Sequence, residues 1–65
     1  MKQYKITGMS CIHCSARVEN GLRALEGVES VSVDLEKGMA YVEGNATDAA
    51  VIGCVTALGY EAEAL

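Results

Sequence analysis

Polar and apolar residues alternate across Lys2–Thr7, with Tyr4 and Ile6 on one side. A period of two is the mark of a half-buried strand, so a β element is expected there. Gly8-Met9-Ser10 interrupts the alternation, and the period then lengthens. Cys14, Val18, Leu22 and Leu25 recur at i, i+4, i+8 and i+11, which puts them on one stripe of a helix. Ser10 or Cys11 is the expected cap of that helix, and Gly27 its expected stop. Alternation resumes over residues 28–35, where Val31, Val33 and Leu35 face one way and Ser30, Ser32 and Asp34 the other. Glu36-Lys37-Gly38 has the length of a hairpin turn, and residues 39–43 make the return strand with Ala40 and Val42 inward. After Gly44-Asn45-Ala46, Thr47 is a suitable N-cap, and Asp48 complements the positive end of a helix dipole. Val51, Cys54, Val55 and Leu58 predict a second amphipathic helix, weakened by Gly53 and stopped by Gly59. Residues 60–64 form a short last strand.

The order is therefore βαββαβ. The expected fold is α+β and ferredoxin-like, a four-stranded antiparallel sheet covered on one face by two helices. With 65 residues and no linker or low-complexity stretch, the chain is expected to hold one domain, 1–65. A chain of this size buries only about 60% of its unfolded surface. Little is left to wall a deep pocket, which favours a binding or carrier module over an enzyme. Half the residues are hydrophobic (51%) and Pro is absent, so the composition is globular. A net charge of -4 with only five Lys and Arg argues against nucleic acid, which needs clustered cations. No segment approaches the roughly 18 apolar residues of a membrane span. Met1 to Thr7 lacks the apolar stretch of an export signal, so a cytoplasmic location is expected. Three cysteines in such a chain point to thiol chemistry rather than to a disulfide framework.

The chemistry concentrates at Cys11-Ile12-His13-Cys14, where a strand gives way to a helix. Two cysteines three residues apart can turn their sulfurs the same way when the second opens a helix. The helix N-terminus favours thiolate over thiol, and thiolates are soft ligands. Structural zinc wants four ligands, so a two-thiolate site suits an ion content with fewer. Cu(I) is the expected ion, and the same pair would take Ag(I) or Hg(II). An open site of this kind leaves room for an incoming thiolate. Two ordinary thiols, or a redox pair, are the competing readings of a bare CxxC.

Gly8-Met9-Ser10-Cys11-x-x-Cys14, the βαββαβ order and Leu58-Gly59-Tyr60 resemble the heavy-metal-associated domain, a family that includes bacterial copper chaperones and the N-terminal domains of copper-transporting P-type ATPases. The resemblance covers essentially the whole chain. It implies Cys11 and Cys14 as metal ligands, Met9 as the buried methionine that orders the loop, and Tyr60 as the residue packed beside the loop. It also implies a copper-transporting ATPase or a copper-responsive repressor as partner. A monomer is expected when metal-free, with a metal-bridged dimer as a further state. A domain of the ATPase itself and a mercury-binding domain are the alternatives. Topology points to Tyr60 independently, because the second helix must run the same way as the first strand and end at the same edge. Cys54 reads as a small core hydrophobe on the second helix's stripe. His13 reads as an exposed imidazole that either tunes the thiolates or ligates in trans. Arg17 and Arg23 read as solvated, with Arg17 placed to touch a partner.

Overall fold

The structure is a computed structural model and describes residues 2–65; Met1, included in the stretch read above for an export signal, lies outside them. Six elements follow in the expected order: β1 (Lys2–Thr7), α1 (Ile12–Arg23), β2 (Val28–Asp34), β3 (Met39–Gly44), α2 (Asp48–Ala57) and β4 (Glu61–Ala64). The sheet order is β2-β3-β1-β4, and every neighbouring pair is antiparallel. Each helix thus connects two strands separated by a third, the split βαβ arrangement. Register brings Val31 opposite Val42, Val33 opposite Ala40 and Ile6 opposite Ala62 on the inner face. Tyr4, Ile6, Ala40 and Val42 form one buried cluster with Val18 and Leu22 of α1 and Val51 and Val55 of α2. Both helices therefore cover the same face, and the opposite face carries exposed Gln3, Lys5 and Thr7.

Several local expectations shift. Helix α1 stops at Arg23 with Ala24 as its C-cap, so Leu25 leaves the helix and Gly27 is not the stop. Instead Gly27 is the third residue of a turn closed by the Val28 N–H donating to the Leu25 carbonyl (3.2 Å), with φ of 92°. That position of a type II turn requires the left-handed region, which glycine enters without strain. The Gly27 carbonyl then accepts from the N–H groups of Asn45 (2.7 Å) and Ala46 (3.2 Å), a tertiary demand that local periodicity does not register. Strand β2 ends at Asp34, one residue early, and Leu35 instead accepts the Gly38 N–H across the turn. Helix α2 is less amphipathic than expected: its outer side carries Ala49, Gly53, Thr56 and Ala57, small residues rather than charges.

The caps of α2 follow the sequence closely. Thr47 accepts the Ala50 N–H at 3.1 Å. At the other end, Gly59 (φ 98°) donates to the Thr56 carbonyl (3.0 Å) and Tyr60 to the Val55 carbonyl (3.2 Å). Those two bonds make a Schellman motif, with Gly59 at the left-handed position. Asp48 does more than complement the dipole, because it also accepts the hydroxyl of fully buried Tyr4 at 2.7 Å and lies 3.5 Å from Lys2 Nζ. Lys2 Nζ also donates to the Ala46 carbonyl (3.1 Å), so β1 is tied to the start of α2 at the end of the fold remote from the Gly8–Cys14 loop.

Candidate metal centre

Strand β1 delivers the chain to Gly8, and α1 begins at Ile12 with Cys11 as its N-cap residue. The Cys11 backbone is extended (φ -154°, ψ 170°), and its side chain makes no capping bond. Its sulfur is thus not engaged with the helix end, as a serine or aspartate oxygen there would be. Cys11 carbonyl accepts the N–H groups of Cys14 (3.0 Å) and Ser15 (3.2 Å), closing the first turn and bringing the second thiol round beneath the first. The two Sγ atoms lie 3.5 Å apart. Cys11 is exposed and Cys14 is half-buried, as expected if the outer thiol is met first.

Tyr60 stands where the topological argument puts it. The Schellman turn ends α2 at the edge where β1 ends, and a Cβ placed on Gly8 would lie 3.3 Å from the Tyr60 ring. A hydrogen bond from the Tyr60 hydroxyl is the largest influence on Cys14, followed by the backbone of Ser10 and the Cys11 thiol; together they lower its pKa from 9.0 to about 6. The same contact raises the Tyr60 phenol, while the neighbouring Arg17 guanidinium acts in the opposite direction. Arg17, exposed as expected, lies beside the loop's tyrosine. No acidic residue occupies the first turn of α1 to offset the positive helix end.

The remaining candidates separate. Met9 is half-buried and packs against the core, in keeping with a loop-ordering role. His13 is exposed. Cys54 is half-buried at the seam between the helices, where its thiol donates to the Gly21 carbonyl (3.5 Å) and its side chain packs on the core. Among the described residues no group of three or more His, Cys, Asp and Glu is gathered to hold an ion, and the two sulfurs of Cys11 and Cys14 are the soft donors placed side by side. Sequence reasoning passed over Ile12, which is 71% exposed between the two cysteines. The signal was available: residue 12 falls about 120° around the helix from the centre of the Cys14–Val18–Leu22 stripe.

Comparison with known proteins shows the family and supports the fold. The chain is 39% identical to the copper chaperone CopZ of Enterococcus hirae, each covered in full. The metal-free structure of the copper chaperone of Enterococcus hirae superposes with a TM-score of 0.93, both chains again covered in full, at 32% identity. A mercuric reductase of Serratia marcescens is 42% identical over 95% of this chain, which spans 14% of that protein. A copper-exporting P-type ATPase of Vibrio cholerae is 39% identical over 92% of this chain, which spans 7% of it. Residues 3–61 match the family described as the heavy-metal-associated domain, and the chain belongs to that family.

Proposed function

We propose that this chain is a cytoplasmic copper chaperone that holds Cu(I) between the thiolates of Cys11 and Cys14 and passes it to a partner by ligand exchange. One observation carries the reading: two sulfurs 3.5 Å apart at a helix N-terminus, neither held in a disulfide, one of them acidified to a pKa of about 6. Soft thiolates select soft ions, and two donors without a third fit an ion that accepts low coordination. With metal–sulfur bonds of about 2.3 Å, the present spacing corresponds to an angle of about 100° at the ion. A linear S–Cu–S arrangement needs the sulfurs about 4.6 Å apart on the same bond length. Cys11, exposed and free of capping bonds, is the side chain that opens the pair by the remaining ångström or so.

Transfer follows from the same openness. A partner thiolate attacks the ion while both native sulfurs hold it, Cys11 leaves first because it is the outer ligand, and Cys14 follows. The ion is the cargo and is never released free. Likeness to a copper chaperone over the full chain favours a free-standing carrier, and likeness to a copper-exporting ATPase favours such a transporter as acceptor. A copper-responsive repressor is a second acceptor of the same kind, and a metal-bridged dimer using exposed His13 in trans is a further loaded state. The 42% identity with a mercuric reductase supports Hg(II) as the alternative cargo.

Anaerobic competition of the reduced chain against a Cu(I) chelator, repeated with Hg(II) and Zn(II), tests the proposal. One Cu(I) per chain is expected, with Cys11→Ser and Cys14→Ser each losing most of the affinity. Near-parental Cu(I) binding by either variant would refute the site.

A further inference from the structure

Strand β2 lies at an edge of the sheet and pairs only with β3. Along its outer side, alternate residues offer unpaired N–H and C=O groups. The opposite edge is guarded, because β4 has four residues, two of them glutamates, with alanine at the other two. Strand β2 contains neither Pro nor Lys, the usual guards of an edge. Past the irregularity between Val28 and Ser30, residues 30–34 pair regularly, which is the length of an ordinary strand. The core is also incomplete along this edge. Tyr4, Ile6, Ala40 and Val42 of the two central strands are buried, whereas Val28, Val31 and Val33 pack against the same core and are only half-buried. Carboxylates stand at both ends of the strand: Glu26 and Glu29 at its start, Asp34 and Glu36 at its finish, with none from Ser30 to Val33. Among the described residues none of these four is in an ion pair, and Arg23, nearby in sequence, lies 3.5 Å from Glu19 instead.

We propose that the β2 edge docks an extended segment of another protein, with aliphatic residues at alternate positions and Lys or Arg at both ends, which adds a fifth strand to the sheet. Each part of that occupant answers one observation. The unpaired backbone fits an extended chain, because only a strand meets a row of N–H and C=O groups in register. Val31 and Val33, open on the side where the sheet stops, are completed by aliphatic side chains on the same face of the added strand. The unpaired carboxylates at the two ends fit cations. They also disfavour a second copy of this chain. Antiparallel pairing of two β2 edges sets Glu26 and Glu29 against Asp34 and Glu36 of the other copy, and parallel pairing sets each carboxylate against its own equivalent. The inference is independent of the metal cargo. Strand β3 separates β2 from β1, roughly 10 Å across the sheet, so a segment can lie on this edge while the two thiols stay uncovered.

The probe is the peptide Lys-Val-Thr-Val-Thr-Val-Lys, blocked at both termini and titrated into the ¹⁵N-labelled, reduced, metal-free chain. Saturable shifts of the amides of residues 30–34 are expected at peptide concentrations below about 1 mM, with slowed hydrogen exchange at the same residues. A twin peptide with Glu in place of both Lys should bind about fivefold more weakly, as should the Lys peptide to the double variant Glu29→Lys, Glu36→Lys, since each exposed charge pair contributes modestly. A peptide N-methylated at every Val and Thr keeps the side chains and charges, loses the strand hydrogen bonds, and should not bind. Absence of shifts with the Lys peptide overturns the inference, as do shifts centred on β4 or on the Gly8–Cys14 loop. Equal binding of the N-methylated peptide removes the backbone pairing, and equal binding of the Glu twin removes the charge argument; either result overturns the proposed occupant. Shifts at residues 30–34 that grow with protein concentration in the absence of peptide overturn it too, because they assign the edge to a second copy.

Discussion

Replacing Tyr60 with Phe tests the electrostatics of the loop without disturbing its packing. The ring stays against Gly8, and only the hydroxyl that hydrogen-bonds Cys14 is lost. In the parent, a Cys14 pKa of about 6 makes the thiolate about ten times more abundant than the thiol at pH 7. At the ordinary value of 9.0 it would be about one hundredth as abundant as the thiol. Alkylation at pH 7 is nevertheless a poor readout. A thiolate loses intrinsic nucleophilicity as its pKa falls, with a Brønsted slope of about 0.4–0.5, so three units cost it roughly twentyfold in reactivity. That offsets most of the gain in abundance and leaves only about a fourfold rate difference. The midpoint of the pH profile carries no such cancellation. Iodoacetamide alkylation of the metal-free, reduced chain from pH 4 to 10, with the modified cysteine located by fragmentation of the 6–17 tryptic peptide, should give a Cys14 midpoint near 6 in the parent. In Tyr60→Phe the midpoint should move upward, remaining below 9 because the backbone of Ser10 and the Cys11 thiol still lower it. An unchanged midpoint in Tyr60→Phe would remove the tyrosine from the argument. A parental midpoint near 9 would remove the acidification altogether.

Two further predictions concern the scaffold. Gly53 is exposed in mid-α2 and a Cβ there meets nothing within 4 Å, so Gly53→Ala should stabilise the fold by about 1 kcal/mol and raise Tm by roughly 4–8 °C, read by urea and thermal unfolding with Cu(I) affinity unchanged; no gain in stability would refute it. Burial, then the bond to Asp48, raises the Tyr4 pKa from 10.0 to about 12, so its contribution is complete below pH 10 and is lost as pH rises through 12. The difference in unfolding free energy between the parent and Tyr4→Phe should therefore be flat up to pH 10 and fall by on the order of 2 kcal/mol above it; a difference that stays flat to pH 12 contradicts the shift.

What could be read from the chain was whatever depends on neighbours in sequence. Thr47 caps α2 because its oxygen reaches three residues ahead, and Gly59 ends α2 because a left-handed residue is needed immediately after the cap. Cys11 and Cys14 come together because one turn of helix separates them. The misreadings arise where distant backbone intervenes. Gly27 reads as the end of α1, yet its conformation serves a turn whose carbonyl is claimed by Asn45 and Ala46, and the helix ends two residues earlier, with Ala24 as its C-cap. The second task of Asp48 escaped notice because its partner, Tyr4, lies 44 residues away. Ile12 was overlooked for a different reason: the periodicity that identifies α1 counts the apolar residues that fit the stripe and is silent on the one that does not.

The two ends of the molecule divide its physical labour. At the closed end, Lys2, Tyr4 and Asp48 join β1 to α2 through a buried hydroxyl and a partly screened ion pair. At the open end, the loop from Gly8 to Cys14 leaves one sulfur uncovered and is supported mainly by Met9 from below and Tyr60 from the side. A carrier needs this asymmetry. A site wrapped by third and fourth ligands would hold its ion more tightly, but an incoming thiolate would then have to displace them before transfer could begin. A site with no support would spend most of its time with the sulfurs apart, and affinity would fall by that fraction. The Schellman turn at Gly59 lies between these limits, because it brings Tyr60 to Cys14 from an element that is not part of the loop. The acidity of Cys14 is thereby tied to the docking of α2, while Cys11 remains free to move.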